Sequence, residues 1–117
     1  MENNAITKID IITRPSQFEE LKNELNKIGI TGLTVSHVLG CGLQKGKTEY
    51  YRGNPYSIDL LPKVKMEIVV SEVPVEEVVR VAKEVLGTGE IGDGKIFIYP
   101  IQNVIKVRTG EEGVDAL

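Results

Sequence analysis

The chain has 117 residues, 41% of them apolar and 26% charged, with a formal net charge of −3. That is enough for one domain with its own core and too little for two ordinary ones. An acidic chain with no basic block argues against nucleic acid as the main partner, a lone cysteine, Cys41, rules out an internal disulfide, and no apolar run approaches the roughly 18 residues that cross a membrane. The opening MENNAITK lacks a signal-peptide pattern. A cytoplasmic protein is expected, one that meets a membrane only through a partner.

Ala5 to Thr13 is isoleucine-rich and partly alternating, which predicts a strand. Arg14-Pro15-Ser16 ends it, with Ser16 the expected N-cap of a helix. Phe18, Leu21, Leu25 and Ile28 then recur at spacings of three and four, one apolar stripe closed by Gly29. Thr31 to Leu39 alternates as a second strand. Residues 40–63 read as a long excursion, because glycines, Asn54-Pro55 and lone charges break both periods. Val64 to Val70 alternates as a third strand. Pro74 is expected at the first position of a helix, whose apolar stripe is Val75, Val78, Val79, Ala82, Val85 and Leu86, ended by Gly87. Lys95 to Tyr99 reads as a fourth strand, Asn103 to Val107 as a short extra one, and the tail is polar and glycine-rich.

Two β-α-β units in one small domain predict an α+β, ferredoxin-like βαββαβ sheet with both helices on one face. The other face would stay uncovered. The run Ile96-Phe97-Ile98-Tyr99 puts large apolar groups on both faces, which predicts a closed homo-oligomer.

Gly92-Asp93-Gly94-Lys95 sits between a helix and a strand. Its glycines allow close backbone approach, its N–H groups can nest an anion, and Lys95 adds a point charge suited to phosphate. The same residues also make an ordinary tight turn. It is not a Walker A motif, in which the lysine opens a helix. Lys106 and Arg108, if on one strand, share a face, either as a solvated edge or as phosphate partners from a neighbouring subunit. Lys65 and Glu67 share a face of the third strand. Tyr50, Tyr51, Arg52 and Tyr56 give the long loop the composition of an interface hot spot, or of aromatics folded back on their own domain. Cys41 between two glycines is either a reactive thiol or an inert one. No acid–base pair, nucleophile triad or zinc spacing is visible, so an enzyme is not expected.

Together these residues resemble the PII nitrogen-regulatory signalling proteins. The motifs are GITGLTV at 29–35, GCGLQKGKTEYYRG at 40–53, LPKVKMEIVV at 61–70, and TGEIGDGKIF with VRTGEEG near the end. The wording GCGLQK, ITRPSQFEELKNEL and EEGVDAL is most similar to the GlnK type of Gram-positive Firmicutes. The resemblance implies a homotrimer of single PII-like domains, residues 1–117. Each would have a partner-binding loop at about 41–61, a phosphate loop at about 87–95 and a C-terminal loop at about 108–117. It implies ATP or ADP in three clefts between subunits, contacted by Gly32 and Thr34 near the base and by Glu67 on the third strand. Gly40, Gly42, Gln44, Gly92, Asp93, Gly94, Lys95, Lys106 and Arg108 would surround the phosphates. It further implies 2-oxoglutarate as effector, bound by Gln44, Lys63, Gly92 and Arg14, with Mg held by Gln44, ATP phosphates and 2-oxoglutarate. Tyr51, Arg52, Gly53 and Tyr56 would meet partners, Arg52 entering the pore of an ammonium transporter and Tyr56 being a possible modification site. A nitrogen transcription factor or glutamine synthetase is a further candidate partner. Leu43 and Lys106 stand where many members carry arginine. They keep open an adenine-nucleotide sensor without a 2-oxoglutarate response; a slow ATPase using the same cleft is a separate alternative.

Overall fold

Alternation and stripe spacing translate directly into elements in a computed structural model, which describes residues 5–43, 49–51, 54–56, 58–90 and 92–117. Strand β1 (Ile6–Thr13) leads through a 3₁₀ turn at Pro15–Gln17 into helix α1 (Phe18–Lys27). Strand β2 (Thr34–Leu43) follows, then a small two-stranded ladder of β3 (Glu49–Tyr51) and β4 (Asn54–Tyr56). The long strand β5 (Ile58–Val70), helix α2 (Val75–Leu86), strand β6 (Lys95–Ile101) and a 3₁₀ turn at Gly113–Ala116 complete the chain. The main sheet has the order β2-β5-β1-β6 with every neighbouring pair antiparallel. This is the ferredoxin-like split βαβ arrangement.

Period two puts Ile9 and Ile11 of β1 and Val64, Met66, Ile68 and Val70 of β5 on one face. Period 3.6 puts Leu21 and Leu25 of α1 and Val78, Ala82 and Leu86 of α2 against them. Each fully buried aliphatic side chain here is worth about 2 kcal/mol of transfer free energy. Phe18, Ile28, Val75 and Val85 pack at the margin of this core. The second stripe shifts by one place from its expected composition. Val81 is buried at 5% exposure, while Val79 turns outward to a groove shared with Ile98 of β6.

Helix ends show where local signals worked. Ile30 N–H donates to the Leu25 carbonyl and Gly29 N–H to that of Asn26, a Schellman ending with Gly29 at φ +100°. Ser16 is not the N-cap. It lies inside the 3₁₀ turn, and α1 begins from Gln17 with no side-chain cap. Pro74 is the N-cap residue of α2 rather than its first helical residue, with extended ψ 139°. Gly87 ends α2 at φ −74°; a Cβ there would come within 2.6 Å of the Lys83 carbonyl oxygen.

The excursion between the second and third strands is shorter than expected, because the β2–β5 ladder runs on to Leu43 opposite Ile58. β2 also starts later, at Thr34. The expected strand over residues 103–107 is not one. Lys106 N–H donates to the Glu111 carbonyl, Gly110 N–H to that of Lys106 and Gly113 N–H to that of Val104, so the segment is a tight loop closed by a single Ile105–Glu112 bridge. Asn103 holds it, its Oδ1 accepting from the N–H groups of Val104 and Gly113.

Candidate functional site

The predicted site residues fall at two ends of the sheet. At the C-terminal end of β1, Gly92-Asp93-Gly94-Lys95 forms the turn into β6. Gly92 and Gly94 have φ of +104° and +115°, the left-handed region that glycine adopts at little cost. A Cβ on Gly94 would overlap the Ile12 carbonyl oxygen, and one on Gly92 would lie 3.2 Å from the Arg14 guanidinium. The turn therefore sits hard against the end of β1.

Asp93 organises this turn. Its Oδ2 accepts the N–H of Thr88 at 2.7 Å and of Gly89 at 2.9 Å. Its Oδ1 accepts the Thr88 hydroxyl at 2.5 Å and Arg14 Nη2 at 3.2 Å. Its own carbonyl accepts the Thr13 hydroxyl at 3.0 Å. The Thr88 hydroxyl first, then the two N–H groups, with Arg14 adding, hold the Asp93 carboxyl below its ordinary range. Lys95 is exposed and has no ion-pair partner among the described residues. Nearby on β2 and β5, Gly40 lets the Lys63 stem pass, since a Cβ there would sit 3.2 Å from Lys63 Cγ.

At the other end, residues 29–34, the end of β5 and the C-terminal tail wall an open cleft of about 720 Å³. Gly32, Thr34, Glu67, Val69, Val114 and Leu117 all face it. Thr34 and Glu67 are cross-strand partners. Glu67 belongs to an alternating set on the helix-free face: Lys8 lies 3.5 Å from Asp10 and 3.6 Å from Glu67, and Lys65 lies 3.7 Å from Asp10 and 3.3 Å from Glu67. A hydrogen bond from Lys65, with Lys8 adding, lowers the Glu67 pKa, and the same bond with Asp10 raises that of Lys65. Asp10 is 2% exposed and its Oδ1 accepts no hydrogen bond from the described residues. Sequence reading missed Asp10 and Lys8. Their signal was a single acid between isoleucines in KIDII, beside a lysine two places earlier.

One chain does not unite these groups. Thr7 pairs with Val70 at the cleft, and Thr13, six residues further along β1, donates to the turn. That is roughly 20 Å of strand at about 3.3 Å per residue. Lys106 and Arg108 lie in the loop that leaves β6 at the cleft end, where Ile101 pairs with Ile6. They are not on a common strand face, because residues 107–109 form a turn; Lys106 Nζ lies 3.8 Å from Glu111. Gln44, Arg52 and Gly53 lie outside the described residues. Gly42, Tyr51 and Tyr56 are described only as backbone in β2, β3 and β4. No helix among the described residues is long and apolar enough to cross a membrane.

A split βαβ sheet with a glycine turn at one end and a cleft at the other places the molecule among the small ferredoxin-like α+β domains. The family model for the nitrogen regulatory protein P-II matches residues 6–111, and the chain belongs to that family. A nitrogen regulatory PII-like protein of Bacillus subtilis (strain 168) is 58% identical over 110 residues, 94% of this chain and 95% of that one. The B. subtilis GlnK–ATP complex aligns with a TM-score of 0.83 at 51% identity over 100% of both chains. Arabidopsis thaliana PII bound to citrate aligns at 0.74 and 42% identity, over 98% of this chain and 94% of that chain.

Proposed function

We propose that this chain is a non-enzymatic nitrogen-regulatory sensor whose ATP or ADP site is assembled between copies of a homotrimer. The observation that carries this is the separation of the candidate ligand residues to opposite ends of one sheet. The turn at Gly92–Lys95 offers left-handed backbone and a lysine for phosphates. The cleft at Gly32, Thr34 and Glu67 offers room for a nucleoside. A neighbouring copy brings one chain's turn to the next chain's cleft, with Lys106 and Arg108 close by. The 51%-identical GlnK–ATP complex supports the ligand class.

On this reading 2-oxoglutarate binds with Mg-ATP through Gln44, Lys63, Arg14 and Gly92. Mg would be held by ATP phosphate oxygens, 2-oxoglutarate and Gln44; among the described residues no group of three or more His, Cys, Asp or Glu is placed to hold a metal. The loop at about 41–61 then changes its affinity for partners, an ammonium transporter first and a transcription factor or glutamine synthetase after it. Tyr51, Arg52, Gly53 and Tyr56 make that contact. The protein acts in the cytoplasm and reaches the membrane through the transporter. Ligands move the loop only by the difference in their affinities for its states.

Subunit mixing tests the shared site. Lys95→Ala should remove ATP binding from the turn side and Glu67→Ala from the cleft side, each read by titration calorimetry. Trimers reassembled from equal amounts of the two variants should recover about a quarter of the sites, as random placement around a three-fold axis requires. Zero recovery would show that each chain holds its own complete site. A second reading, an adenine-nucleotide sensor with no 2-oxoglutarate response, rests on Leu43 and Lys106. It gains the case if ATP and ADP both bind and 2-oxoglutarate gives no heat with Mg-ATP.

A further inference from the structure

We infer that the Asp93 side chain is a positioning group, not a ligand contact: its carboxylate holds Thr88 and Gly89 against the Gly92–Gly94 turn in an anion-ready shape and orients Arg14 over it. This rests on the nucleotide reading above and departs from it at one residue. A carboxylate aimed at a phosphate would repel it. Here both oxygens are already turned inward onto four donors: two N–H groups, the Thr88 hydroxyl and Arg14 Nη2. To touch a nucleotide, the Asp93 carboxylate would have to abandon hydrogen bonds that are charge-assisted and therefore strong, whereas its backbone N–H stays available to a phosphate.

The geometry divides the work. Asp93 Oδ2 takes two backbone N–H groups of the loop. Its Oδ1 takes the guanidinium, which lies so close to Gly92 that a Cβ there would stand 3.2 Å from it. The Thr13 hydroxyl ties the residue's carbonyl to the end of β1. The loop and Arg14 are thus set by one group before any ligand arrives, which removes part of the ordering cost of binding. Lys95 is left to present its charge outward.

The test is titration calorimetry of the full-length chain with ATP and with adenosine, beside backbone amide exchange by NMR. Asp93→Ala should weaken ATP at least about tenfold, the equivalent of losing one charge-assisted hydrogen bond, and leave adenosine binding unchanged. It should also remove exchange protection from the Thr88 and Gly89 amides. Asp93→Asn keeps one acceptor oxygen and loses the guanidinium pair. It should retain that protection and lose affinity by a smaller factor. Thr88→Ala serves as the milder probe where Asp93→Ala does not fold, with a reduced loss in the same direction. Equal weakening of ATP and adenosine, or unchanged ATP affinity in Asp93→Ala, would overturn the inference. If the wild-type chain binds no nucleotide, the functional reading fails by itself. The clamp then stands or falls on the amide protection alone.

Discussion

At the Thr13 end of β1, a loop is held by hydrogen bonds that converge on one carboxylate, and backbone passes so close that glycine is required. At the Thr7 end, an open cleft is walled by strand ends and an exposed tail, and Gly32 has nothing within 4 Å of where a Cβ would stand. The same sheet therefore carries one end built to a fixed shape and one end built as space. Recognition of a small rigid group such as phosphate favours the first. Room for a larger, flatter group favours the second.

The comparison is sharpest in paired glycine substitutions. Gly94→Ala adds a side chain at φ +115° against the Ile12 carbonyl and should cost more than about 3 kcal/mol in urea unfolding. Gly32→Ala should stay within about 0.5 kcal/mol. Similar costs at the two positions would erase the distinction between the ends.

Next in size is Asp10→Ala on the helix-free face. Removing the central acid leaves Lys8 and Lys65 to crowd onto Glu67, and both lysines are exposed enough to rehydrate. A loss of about 1–2 kcal/mol is expected. A neutral or stabilising result would mean that this face gains nothing from the alternating charges.

The smallest effect is in acid. Asp93 and Glu67 both titrate below their ordinary values of 3.8 and 4.5 when folded, so the unfolded chain binds protons more readily. Their stabilisation is fully present above about pH 4.5 and is lost as pH falls through the lowered folded values. Chemical denaturation between pH 7 and 3 should show this slope, and Asp93→Asn with Glu67→Gln should flatten it. An unchanged slope in the double variant would place the acid sensitivity elsewhere.

Much of the fold was legible because it is written locally. The stripe Phe18, Leu21, Leu25 and Ile28, the alternation from Val64 to Val70 and the glycine after α1 each report a period or a backbone need within a few residues. The failures were local as well. Ser16 looked like a cap but fell inside a 3₁₀ turn after Pro15. Asn103 to Val107 read as a short strand, yet Asn103, Gly110 and Gly113 fold it into a loop. Within α2 the run of valines satisfied two registers, and only packing chose Val81 over Val79.

By itself the sequence determined the two helices, the four strands of the main sheet, their order, the apolar faces that must be buried and, through its motifs, the family. Those follow from short-range periodicity and turn chemistry. Tertiary structure alone decided what Asp93 and Asp10 do. The partners of Asp93 include Thr13 and Arg14, some 80 positions away, and Asp10 meets Lys65 across the β1–β5 ladder. It also decided that the glycine turn and the open cleft stand at opposite ends of one sheet. No spacing along the sequence encodes that, because it arises only when β1 is placed between β5 and β6.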